Sequence, residues 1–141
     1  MLFYGGLDNI EHATAIFFFD KNNVLNDFYY RFWNLSEDPI VNEKIYKTVY
    51  NNCVKQFGES ISNGKKYPVG KTVEISNRDM NEAKENGGSG KVFASNEWLV
   101  EGRNGQDAIK IDLVSYQTIR KTMYGQHIEN TVFLSYHPFQ Q

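Results

Sequence analysis

Cysteine occurs once in this chain, at position 53. That excludes an internal disulfide and any zinc site built on cysteine ligands. Arginine is nearly as scarce, confined to Arg31, Arg78, Arg103 and Arg120, and the net charge is -2 with an isoelectric point near 5.9. A general nucleic-acid binder carries a basic footprint, so that class is set aside. The histidines are His12, His127 and His137. No two stand three or four residues apart, the spacing that puts two metal ligands on one helical face, so neither metal nor cofactor is expected. The longest apolar run, residues 15–19, is far below the roughly 20 residues that span a bilayer. The first residues, MLFYGGLDNIEH, lack the basic start and apolar run of a signal peptide, and neither terminus carries a lipidation signal. These absences predict a soluble cytoplasmic protein with no membrane contact.

What is abundant is aromatic: ten Phe, nine Tyr and two Trp, 15% of 141 residues. The length suits one domain, residues 1–141, large enough to bury a core without staples. Large rings filling that core account for most of the aromatic content.

The clearest local structure is Asn96 to Leu113, NEWLVEGRNGQDAIKIDL. Asn104-Gly105 suits a two-residue type I′ turn, whose central positions both need positive φ. Centring the turn there pairs Val100 with Ile109, Trp98 with Ile111 and Asn96 with Leu113. Trp98, Val100, Ile109, Ile111 and Leu113 then share one face, packed on the core. Glu97, Glu101, Lys110 and Asp112 share the other, expected to be wetted. Asp38 and Pro39 start a helix over 39–57, with Val41, Ile45, Val49, Cys53 and Phe57 recurring every four residues and Gly58 as the stop. The hairpin's apolar face is expected to pack on this stripe, making Trp98 core and Cys53 a buried, inert thiol. Residues 13–19 and 24–33 suit strands; a helix is the alternative for 24–33. Lys71 to Ile75 alternates as a strand, after which Asn77 can cap a short helix over 78–85. The glycines of 86–90 suggest a flexible loop, a candidate lid. Residues 117–126 fit either a helical turn or a strand and loop, and Thr131 to Tyr136 a final strand. The fold class that results is α+β, a mainly antiparallel sheet packed against one long helix plus a short one.

The motif search is mostly negative. Gly70-Lys71-Thr72 ends like a phosphate-binding loop, but Lys65 stands where that motif needs glycine. Gly87 to Lys91 lacks the following helix that an anion site would use. His127-Ile128-Glu129 matches the H-x-E of zinc deaminases without their paired cysteines. His12-Ala13-Thr14 resembles one of the two H-x-T/S motifs of the two-histidine phosphoesterases. That family uses two such motifs as proton donor and acceptor. The second motif is missing, since His127 is followed by Ile-Glu and His137 by Pro-Phe.

The functional expectation is a small non-enzymatic binding protein, microbial or phage-like, acting as an accessory or inhibitor. Its partner would be another protein or a small anionic, nucleotide-type ligand. Arg103, Arg120, Lys121 and Tyr136 are the candidate ligand residues, with arginine and lysine on phosphate and rings stacking on a base. A homodimer would cover surplus apolar surface. The alternative is a metal-independent phosphodiesterase or ribonuclease in which His127, His137 and Glu129 exchange protons while Arg or Lys stabilises the transition state.

Overall fold

A computed structural model describes residues 12–23, 25–35 and 38–140. In chain order the elements are β1 (His12–Phe19), β2 (Leu25–Asn34), α1 (Ile40–Phe57), α2 (Lys71–Glu85), β3 (Ser89–Val100), β4 (Ala108–Thr122) and β5 (Gly125–Phe139). The strands form one antiparallel sheet in the order β1-β2-β5-β4-β3. Residues 2–4, LFY, whose composition also suits a short strand ending at Gly5-Gly6, lie outside the described residues.

The β3–β4 hairpin has the predicted register: Val100 opposes Ile109, Trp98 opposes Ile111 and Asn96 opposes Leu113. Its turn has Asn104 at φ 52° and Gly105 at φ 78°, closed by the Gln106 N–H donating to the Arg103 carbonyl at 3.0 Å. Both central residues take the positive φ that the Asn-Gly pair tolerates best. Residues 25–34 are a strand, with Phe28, Tyr30 and Phe32 on the opposite face from Tyr29, Arg31 and Trp33. The open question over 117–126 resolves as strand, a two-residue turn at Met123-Tyr124, and strand again, so β4 and β5 run far longer than the sequence suggested.

Helix α1 crosses one face of the sheet. Ile45, Val49 and Cys53 bury against Trp98, Ile111, Leu113, Val132 and Leu134. The Trp98 indole N–H donates to the Gly58 carbonyl at 3.0 Å, and its ring lies 5.7 Å from that of Tyr50. The buried Cys53 thiol is pushed up to about 12 by desolvation, so it stays protonated at neutral pH.

The other face departs from expectation. It is not wetted: α2 covers it, and Lys110 and Asp112 are 0% and 4% exposed. Residues 71–75 are not a strand but the first turns of α2, and Asn77 lies inside that helix. The helix therefore spans Lys71–Glu85, not 78–85. Its inward stripe is Thr72, Ser76, Met80 and Ala83, too polar to register as a hydrophobic pattern. Met80 joins Tyr29, Val114, Tyr116 and Phe133 in a second core. Nor is 86–90 all loop, since Ser89 and Gly90 already belong to β3. A Cβ on Gly88 would collide with the Ile119 carbonyl, and one on Gly90 with Met80. These glycines let α2 and the sheet approach closely.

Two substitutions test this packing. Trp98→Ala should destabilise the protein by roughly 3–5 kcal/mol in denaturant unfolding, because a large ring leaves a fully buried site. Gly88→Ala should cost about 1–3 kcal/mol, the usual penalty for overpacking. A neutral result there would mean that α2 does not sit down on β4.

Candidate functional site

The first turn of α2 has no cap of its own, and distant side chains supply one. The Gly70 N–H donates to Asp112 Oδ2 at 2.9 Å, and the Lys71 N–H donates to Asp27 Oδ2 at 3.2 Å. Two carboxylates from β4 and β2 thus meet the positive end of the helix, where free amides and dipole both favour anions. Glycine is required at 70 because a Cβ would collide with the Ser135 hydroxyl. Thr72 and Ser135 share a hydroxyl–hydroxyl hydrogen bond at 2.8 Å beside them.

Charged groups continue outward from this cap. Lys110 Nζ donates to Asp112 Oδ1 at 2.7 Å and lies 2.5 Å from Glu97 Oε2. On the other side, His137 Nδ1 lies 3.1 Å from Asp27 Oδ2. Asp27 is only 1% exposed, and its second oxygen, Oδ1, is buried with no side-chain hydrogen-bond partner among the described residues. Burial raises its pKa, outweighing the lowering influence of the Lys71 and Phe28 amides and of His137.

Further along α2, at the level of Ile75, Arg78 and Asp79, a cleft of about 350 Å³ opens between the helix and the sheet. Three of the four arginines line it: Arg31 from β2, Arg78 from α2 and Arg120 from β4. Asp79 and Glu129 share the lining, and Tyr29, Ile16 and Phe133 give it an apolar wall. Arg31 pairs with Glu129, and its guanidinium sits 4.7 Å from the Trp33 ring centre and 5.8 Å from that of Phe133. Arg120 lies 3.9 Å from Glu82 at the rim. Asp79 accepts a 2.8 Å hydrogen bond from the Tyr116 hydroxyl, whose pKa burial and the Asp79 charge both raise. Arg78 makes no ion pair among the described residues.

The candidates from the sequence are distributed unevenly. Arg120 and Glu129 line the cleft, and His127 stands across from Arg120 on β5, its Nε2 3.8 Å from Glu129. Lys121 is exposed beside Arg120 and does not line the cleft. Arg103 borders a separate shallow cavity with Gln56, Phe57 and Leu99 at the β3–β4 turn. Tyr136 belongs to the α1 core, its ring 4.6 Å from that of Phe28 and its hydroxyl held protonated by burial. His137 lies ten residues from His127 on the same strand, roughly 33 Å at strand rise, so the two cannot exchange protons with one substrate. Asp27, Arg31, Arg78, Asp79, Lys110 and Asp112 were not anticipated as site residues. Their only sequence signal is charge, within the aromatic β2, the aliphatic start of β4 or the polar α2, which a solvated face would also produce. Among the described residues, no group of three His, Cys, Asp or Glu side chains is arranged to hold a metal ion, and no helix is long and apolar enough to cross a membrane.

The fold and the cleft define an antiparallel α+β protein with a helix on each face of its sheet. Comparison with protein-family models, with curated proteins and with solved structures returns no match.

The Lys110 pairing makes its own prediction. Lys110→Met keeps the volume but leaves Asp112 and Glu97 without their cation, and should destabilise the fold by roughly 3–5 kcal/mol in urea unfolding at neutral pH. An unchanged midpoint would show that the carboxylates need no buried counter-charge.

Proposed function

We propose that the protein binds a small anionic ligand, a phosphate-bearing molecule, in the cleft between α2 and the sheet. The observation that carries this reading is the convergence of Arg31, Arg78 and Arg120 on one cavity in a chain whose net charge is -2. Three guanidinium groups and two carboxylates line it, with Glu82 at the rim against Arg120, so the arginines of the chain are concentrated here and Arg78 is left without an ion pair among the described residues. Guanidinium offers a planar fork of donors that fits phosphate oxygens two at a time. Arg31 is held in place by Glu129 and by two aromatic rings, which limits the entropy lost on binding. Arg78 and Arg120 come from different elements and reach the cleft from its two sides. The apolar wall formed by Ile16, Ile75 and Phe133 suits the uncharged part of such a ligand. This reading keeps the binding class that the sequence suggested and relocates it. Arg120 stays, while Arg103, Lys121 and Tyr136 leave the ligand set.

Calorimetric titration with pyrophosphate and with a nucleoside monophosphate is the test. Arg78→Gln and Arg120→Gln should each weaken binding by roughly tenfold, the worth of one charge-assisted hydrogen bond. Lys121→Gln should leave the affinity alone. Equal affinity in all three variants, or no heat with either ligand, would refute the reading.

A further inference from the structure

We infer that the seating of the α2 N-terminus on Asp27 and His137 is a proton-dependent latch that regulates the arginine cleft, an inference that rests on the anion-binding reading above. Asp27 is walled in by three elements. Phe18 of β1 opposes it in the sheet, the backbone N–H of Lys71 reaches it from α2, and His137 contacts it from β5. The charged and titratable groups that face this corner are His137 on β5, Lys110 and Asp112 on β4, Glu97 on β3, and the Lys71–Glu74 pair on α2, joined at 3.4 Å. Three buried or half-buried carboxylates here, Asp27, Asp112 and Glu97, meet one buried cation, Lys110. One carboxylate oxygen, Asp27 Oδ1, is buried with no side-chain donor within hydrogen-bond reach among the described residues. An ionised carboxylate so placed carries a desolvation penalty that its neutral acid largely escapes.

Two responses relieve that penalty. The corner takes up a proton, or the first turn of α2 lifts and admits water. The second response also affects the cleft, since Ile75, Arg78 and Asp79 sit on α2 just beyond that turn. Burial raises the Asp27 pKa in the folded state above its unfolded value. Its stabilising contribution is therefore full below the unfolded pKa and is lost as pH rises through the folded one. Anion affinity should fall over the same rise, as α2 loosens and carries Arg78 away from Arg31 and Arg120.

The probe is inorganic sulfate, which stays dianionic throughout, titrated at about pH 4, just above the unfolded carboxylate range, and at about pH 7.5 into the full chain and its Asp27→Asn variant. Hydrogen exchange of residues 71–79 is followed in parallel. Asn keeps an oxygen for the Lys71 N–H and cannot ionise. The wild-type protein should bind sulfate several-fold more tightly at the lower pH and, once exchange is corrected for its intrinsic base catalysis, protect its α2 amides less at the higher one. Asp27→Asn should show equal protection at both. His127 on the cleft rim is present in both proteins, so the difference between them reports on Asp27 and its contact with His137. Faster α2 exchange in Asp27→Asn than in the wild type at the higher pH, or an unchanged pH response in the variant, would overturn the latch. No sulfate binding at either pH, with the exchange difference intact, would support the latch and remove the anion site. A pH-dependent affinity with no exchange difference would do the reverse.

Discussion

Two carboxylates on different strands hold down one helix end, and much of the sheet's second face follows from that. Asp112 and Asp27 accept the first amides of α2, which have no partner within the helix. Once the helix is seated, the face beneath it is interior, and Lys110 has to be buried to balance Asp112 and Glu97. Glycine becomes obligatory at position 70, where the backbone passes against Ser135, and again at 88, where the chain leaves α2 against β4. The polar stripe of Thr72 and Ser76 is tolerable because Ser135 and the Val73 carbonyl satisfy it. What would otherwise be a half-wet sheet becomes a three-layer structure with a polar anchor at one end of α2 and an arginine-lined cleft further along.

The parts of this fold that were legible in the sequence are those whose signals are local. Asn104-Gly105 set the β3–β4 register because turn geometry and side-chain alternation act within a few residues of each other. The stripe from Val41 to Phe57 announced α1 because it is apolar and its start and stop lie beside it. Helix α2 had neither advantage. Its N-terminal caps come from residues 42 and 44 positions away, and its buried stripe is half hydroxyl. Five residues of alternating Lys71, Thr72, Val73, Glu74 and Ile75 therefore resembled a strand. The β4–β5 turn is ambiguous in the sequence for a related reason: Met123-Tyr124 offers no residue suited to a tight turn, and Gly125, at φ 123°, lies just past it.

The candidate site divides along the same line. Arg120 and Glu129 are legible because arginine suits phosphate and glutamate suits proton transfer, but the charged set they belong to spans four elements. Arg31 sits in a strand of aromatics and Arg78 in a helix that was read as too short. Only the sheet order, which places β2 beside β5 and β5 beside β4, brings Arg31 and Arg120 under Arg78. The histidines fail for the opposite reason. Proximity in sequence suggested that His127 and His137 could cooperate, and an extended strand separates residues faster than any other backbone.

The anchor at the α2 N-terminus and the cleft beside its middle are close enough to influence each other in two ways. Asp27 and Arg31 are four residues apart on β2, roughly 13 Å, and at an effective dielectric constant near 20 two unit charges at that distance interact by about 1 kcal/mol. An ionised Asp27 thus lowers the potential that an anion meets in the cleft, even with α2 fixed in place. Loosening of the helix acts with the same sign, because it withdraws Arg78. The field and the mechanical route reinforce each other as pH rises, yet only the mechanical one exposes α2 amides. Coupling between anchor and cleft is therefore built into the placement of one buried carboxylate, and the helix determines how much of it exceeds the bare Coulomb interaction.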